Sequence, residues 1–94
     1  MIKAVQIKVL SDYKLWIKFS DNTEGQADLS YLVGKGVFSI WKDYSKFKEA
    51  KIGSGGEIFW GNEIDLCADS LYLKITGKKP EEIFSNLKPQ TFNA

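Results

Sequence analysis

Between Ile58 and Ile75 the chain reads IFWGNEIDLCADSLYLKI, which gathers Glu63, Asp65, Cys67 and Asp69 between Trp60 and Tyr72. Carboxylates this close could hold a divalent cation or share the acid and base roles of glycoside hydrolysis. A cysteine among them could act as a nucleophile. Each of these chemistries needs companions. No third and fourth oxygen ligand stands at a spacing that closes a cage, and Asp65 and Asp69 are explained by a turn and by the first turn of a helix. The chain has no histidine, which removes the histidine general base, the Ser-His-Asp and Cys-His arrangements and most zinc sites. Cys67 is the single cysteine, so there is no internal disulfide and no CxxC motif. Beside leucine and alanine it reads as a small buried hydrophobe with a slow thiol. The GSGG run at 53–56 is followed by Glu57 and a strand, not by the Lys-Ser/Thr and helix of a phosphate loop, so it reads as a hairpin turn. The expectation is no catalytic residue, no metal site, no cofactor and no enzymatic activity.

A second constellation lies nearer the start. Trp16 stands between Lys14 and Lys18 in DYKLWIKF, and period two sends all three to the face opposite Leu15 and Ile17. Across the hairpin, Gln6 and Lys8 fall on the same face. A tryptophan framed by lysines can stack a nucleobase or anchor a protein partner. The alternative is that a short helix covers this face, Trp16 belongs to the core and the lysines snorkel past it. The candidate partner-binding residues are therefore Lys8, Lys14, Trp16 and Lys18, with Tyr72 on the later helix as the next in line.

The elements that position these residues follow from the pattern. Residues 3 to 9 alternate, with Val5, Ile7 and Val9 to one side. Residues 13 to 19 alternate more strongly, with Tyr13, Leu15, Ile17 and Phe19 inward. SDN at 20–22 is a hairpin turn, and residues 23 to 29 return as a third strand, completing an antiparallel meander. After Asp28 or Ser30 a single apolar turn runs through Leu32 and Val33 to Gly34 or Gly36. Asp43 or Ser45 opens another short helix, with Phe47 on its buried side. Residues 51 to 61 form a second hairpin, with Ile58 and Trp60 facing one way, Gly61-Asn62 breaking the strand and Asp65 in the connection. A helix spans about Ala68 to Thr76, carries Ala68, Leu71, Tyr72 and Ile75 on one face and stops at Gly77. Pro80 opens a last short helix with Ile83, Phe84 and Leu87 as its apolar side, and 88–94 is a frayed tail.

The expected fold is α+β: one small domain over 1–94, a meander plus a second hairpin packed by short helices. The expected core includes Val5, Ile7, Leu15, Ile17, Phe19, Trp60, Leu71 and Ile75. The 94 residues are 44 % hydrophobic and 14 % aromatic, enough for one core without staples. Thirteen basic residues, all lysines, against twelve acids leave a net charge of +1. No global field selects nucleic acid, and without arginine the planar fork that reads guanine edges is missing. Nucleic acid on its own is thus not the expected partner. No apolar run suits a signal peptide or a membrane span, which makes the cytoplasm the expected compartment and gives the membrane no role.

Four stretches carry a family resemblance: DYKLWIKFSDNTEGQADL, GVFSIWKD with Phe47 four residues on, IFWGNEIDL and the closing DSLY. Together, over roughly residues 3 to 73, they resemble the small bacterial family known as domain of unknown function (DUF) 2442. Asn22 stands where glycine is usual in the hairpin turn, and Ala68 where a proline often opens the last helix. The resemblance implies a compact α+β domain with no assigned catalytic residue. Many such proteins are encoded beside a second small protein, DUF 4160, in an arrangement similar to toxin–antitoxin pairs with this family as the antitoxin. It therefore implies a protein-binding role toward a neighbour-encoded protein; an open Trp16 face would also allow self-association, which makes a homodimer a further expectation. Some members carry a helix-turn-helix domain after the α+β unit, which this sequence does not show. The other reading of the residues is a nucleic-acid-associated module using Trp16 with Lys14 and Lys18. Salt separates the two, because lysine–phosphate contacts weaken steeply with ionic strength.

Overall fold

The structure, a computed structural model, describes residues 2–77. The predicted last helix from Pro80 and the tail at 88–94 lie outside the described residues. Two antiparallel three-stranded sheets and a few short helices make an α+β fold. The first sheet is the expected meander: β1 (Ala4–Leu10), β2 (Lys14–Phe19) and β3 (Glu24–Asp28), in that order. The SDN turn closes β2 onto β3, with Asn22 left-handed at φ 72° and Asp21 Oδ1 accepting the Thr23 amide at 2.9 Å, as the Asx chemistry of such turns dictates.

After β3, Asp28 Oδ1 accepts the Ser30 amide at 2.9 Å and starts a single 3-10 turn, Ser30–Leu32. A second 3-10 helix spans Gly36–Lys42 and buries Trp41. The one-turn helix α1 (Tyr44–Phe47) is capped by Asp43, whose side chain accepts from the Ser45 amide. The second sheet is β4 (Lys51–Ile52), β5 (Ile58–Trp60) and β6 (Ile64–Leu66). The expected hairpin is its first pair, and the glycine-rich turn is closed by Gly53 N donating to Glu57 O at 2.8 Å. Helix α2 (Ala68–Thr76) ends at Gly77, left-handed at φ 71°, with its amide bonded to Leu73 O.

The core lies between the inner face of the first sheet, the second sheet and α2. Leu15, Ile17 and Phe19 are fully buried, as the period of two requires. Trp41, Phe47 and Trp60 form an aromatic cluster, with Trp41 and Trp60 ring centres 4.8 Å apart. Helix α2 sets Leu71 and Tyr72 into this interior, and Tyr72 meets Phe19 edge-on at 5.0 Å. Gly25 lies where α2 crosses β3; a Cβ there would collide with Ile75.

Four expectations are corrected. Val5 is exposed (55 %) and Ala4 is buried in its place, because the β1–β2 register shifts between Ala4 and Gln6; an irregularity there reverses the alternation. Tyr13 packs inward against the core as expected but precedes β2, with φ 62°, rather than opening the strand, and its hydroxyl donates to Trp41 O at 2.7 Å. Asp65 sits within β6, not in a connection. Ile7 and Ile75 pack against the core and are only partly buried.

Candidate interaction face

β2 supplies the centre of the outer face of the first sheet. Alternation puts Lys14, Trp16 and Lys18 opposite Leu15 and Ile17, and all three are half-buried while Leu15 and Ile17 are fully enclosed. The ladder pairs Trp16 with Lys8 of β1 and Gln26 of β3. Four predicted residues are thereby brought together: Lys8, Lys14, Trp16 and Lys18. Lys8 Nζ lies 5.3 Å from the Trp16 ring centre, within reach of a cation–π attraction. Helix α2 packs on the opposite face, against Phe19 and Gly25.

Three residues of this face carry no signal of their own in the sequence. Glu24, Gln26 and Asp28 of β3 stand directly across from Lys18, Trp16 and Lys14, and all three are exposed. The turn at 20–22 sets this register, so counting outward from it would have found them. The face is thus a lysine-rich half joined to an acidic edge. The side-chain hydroxyl and the amide of Ser30 hold the Asp28 carboxyl below its ordinary value, and Lys14 and Lys74 add to the effect.

Tyr72 is not part of this surface. It is buried (4 %), and its hydroxyl donates to Asp21 Oδ2 at 2.6 Å, because its place on α2 faces the sheet. Tyr72 is a tie between α2 and the β2–β3 turn.

The acidic stretch that opens the case for chemistry is spread out by the fold. Glu63 lies in the β5–β6 turn, Asp65 in β6 and Asp69 in the first turn of α2. Glu63 and Asp65 line, with Glu57, an open cleft of about 600 Å³ that Ile52, Phe59 and Ile64 also line. Among the described residues, no three His, Cys, Asp or Glu side chains come together as a metal site. Cys67 is exposed, not buried as expected: it is the N-cap residue of α2, where the chain turns out of β6, and it makes no side-chain cap bond.

No helix among the described residues is long and apolar enough to cross a membrane. No curated protein and no solved structure matches the chain. A family model, "Protein of unknown function (DUF2442)", matches residues 4–77, which takes in both sheets, α2 and every residue of the Trp16 face, and the chain belongs to that family.

Proposed function

We propose that the protein is a non-enzymatic binding module of the bacterial cytoplasm that docks another small protein on the outer face of its first sheet. Its partner is the product of a neighbouring gene, DUF 4160-like in kind, and its role is the antitoxin-like half of that pair. The observation that carries this reading is Trp16, half-buried at the centre of a face bearing charges of both signs. An aromatic anchor ringed by polar groups is the usual anatomy of a protein interface. Nucleic acid fits the same face less well: phosphates drawn to Lys14 and Lys18 would meet Asp28 and Glu24 directly across the ladder.

Trp16→Ala tests the proposal. The ring lies outside the core cluster, so the melting temperature should hold within a few degrees. Capture of the neighbour-encoded protein should weaken about thirtyfold, the equivalent of about 2 kcal/mol for a central anchor. Binding by the intact protein should change little with salt. Unchanged capture by the mutant would remove this face, and a steep salt dependence with single-stranded DNA or RNA would favour the nucleic-acid reading.

A further inference from the structure

The outer face of the first sheet is self-complementary, and we infer that a second copy of this chain occupies it when no other partner does. This inference rests on the reading of the Trp16 face as a binding surface and names an occupant for it. The three ladder rows across β2 and β3 are Lys14–Asp28, Trp16–Gln26 and Lys18–Glu24. Two sheets stacked face to face lie about 10 Å apart with nearly aligned strands. A two-fold axis parallel to the strands, placed between β2 and β3, lays each β2 over the β3 of the second copy. Lys14 then faces Asp28, Trp16 faces Gln26 and Lys18 faces Glu24, and the symmetry makes every contact twice.

Other ways of pairing two copies are opposed by the same charges. An axis over β2 itself stacks lysine on lysine. An antiparallel β3–β3 edge pairing centred on Gln26 sets Glu24 against Asp28 at both ends, and like charges directly opposite destabilise a ladder. Within one chain the rows do not consume their own charge. Among the described residues the ion pair is Lys46–Glu49 at 3.9 Å, and neither Lys18–Glu24 nor Lys14–Asp28 closes to that distance. Lys14, Lys18 and Glu24 are available to a facing sheet, and Asp28, whose Oδ1 accepts from the Ser30 amide, still presents its charge there. Lys8 stays outside the overlap, over the flank of Trp16.

Charge reversal on the full chain tests this. Sedimentation equilibrium of the wild type should give twice the 10.6 kDa chain mass as concentration rises. Lys18→Glu sets acid against Glu24 twice in a homodimer, and Glu24→Lys sets lysine against Lys18 twice. Each variant alone should self-associate at least about tenfold more weakly; because Lys18 and Glu24 are also ladder partners within one chain, each reversal should lower the melting temperature by a few degrees without unfolding the domain. An equimolar mixture should recover the association, since both facing rows then carry opposite signs. A wild type that stays monomeric into the millimolar range overturns the inference. So does a dimer indifferent to both reversals, or a mixture no stronger than its components. The neighbour-encoded protein separates the two readings: if the wild type stays monomeric yet captures it through Trp16, the second-copy inference fails alone, and if dimerisation holds while capture fails, the protein-partner reading fails alone.

Discussion

Asp21 and Tyr72 join two segments far apart in sequence through one hydrogen bond of 2.6 Å. That bond is the largest cause holding the Asp21 carboxyl below its ordinary value of 3.8, and the Thr23 amide adds to it. A carboxylate whose pKa is depressed by folding contributes stability that is fully present above the unfolded value and is lost as pH falls through the folded one. The fold should therefore be indifferent to pH from neutrality to about 4 and weaken below 3.8. Asp28 and Asp43 are lowered as well, chiefly by hydrogen bonds from Ser30 and Ser45, and act in the same window. Asp21→Asn should lower the melting temperature at pH 7, with the gap to the wild type closing toward pH 2; a constant gap across that range would mean the charge on Asp21 is irrelevant. Cys67 gives a second test at this scale. Being exposed at the start of α2, it should react with a thiol-specific disulfide reagent in the native state at nearly its rate in denaturant, whereas slow native labelling would return it to the interior. Cys67→Ser should cost nothing and gain about 0.5–1 kcal/mol of stability, because serine can supply the missing cap bond.

Among the elements, α1 is one turn long and cannot satisfy its own last carbonyls. Trp60 of β5 does so from outside: its indole Nε1 donates to Phe47 O at 2.8 Å in the buried interior. Trp41, packed against the same cluster, has a buried Nε1 with no hydrogen-bond partner. The two indoles thus make opposite predictions for the same truncation. Trp60→Phe strands a buried carbonyl, whereas Trp41→Phe deletes an unpaired donor, so the first should cost about 1–3 kcal/mol more than the second in urea unfolding followed by circular dichroism. Equal costs would show that the Phe47 carbonyl finds another donor. Much of this scale is legible in the chain: Leu15, Ile17 and Phe19 follow from period two, and Asp43 and Gly77 mark helix ends by their chemistry. What escapes has no period to read. β6 is three residues long, too short to alternate visibly, and Trp41 sits in a 3-10 helix whose repeat imitates neither strand nor α-helix. The shift that turns Val5 outward leaves no mark in AVQIKVL. For the Trp16 face, the lysines on β2 are legible from alternation. Their partners on β3 depend on register, and which face receives α2 is decided by tertiary packing.

At the scale of the whole molecule, the question is what makes two small sheets one folding unit. β1 is the seam: Ala4 N donates to Gly56 O at 3.0 Å, which ties the edge of the first sheet to the glycine-rich turn of the second. Gly56 is buried with φ 83°, and a Cβ there would come within 2.8 Å of the Lys3 Cα. Both the left-handed backbone and the contact demand glycine. Below the seam, the aromatic cluster joins the same halves, since Tyr13, just before β2, meets Phe47 at 5.1 Å and Phe47 lies against Trp60. The second sheet is made of strands only two or three residues long, and the apolar faces of both sheets are buried in one shared core, so each half depends on the other. Gly56→Ala should then do more than loosen a turn. Left-handed strain alone costs about 1–3 kcal/mol, and in a domain this small each kcal/mol lowers the melting temperature by about 4–8 °C. The whole chain should melt earlier in a single transition. Far-ultraviolet circular dichroism reports both sheets, and fluorescence is weighted to the buried Trp41 and Trp60 of the cluster. The two curves should coincide in the wild type and in the mutant. If instead fluorescence shifts while most of the dichroism stays at the wild-type midpoint, the second sheet opens on its own and the seam is only a contact between independent halves.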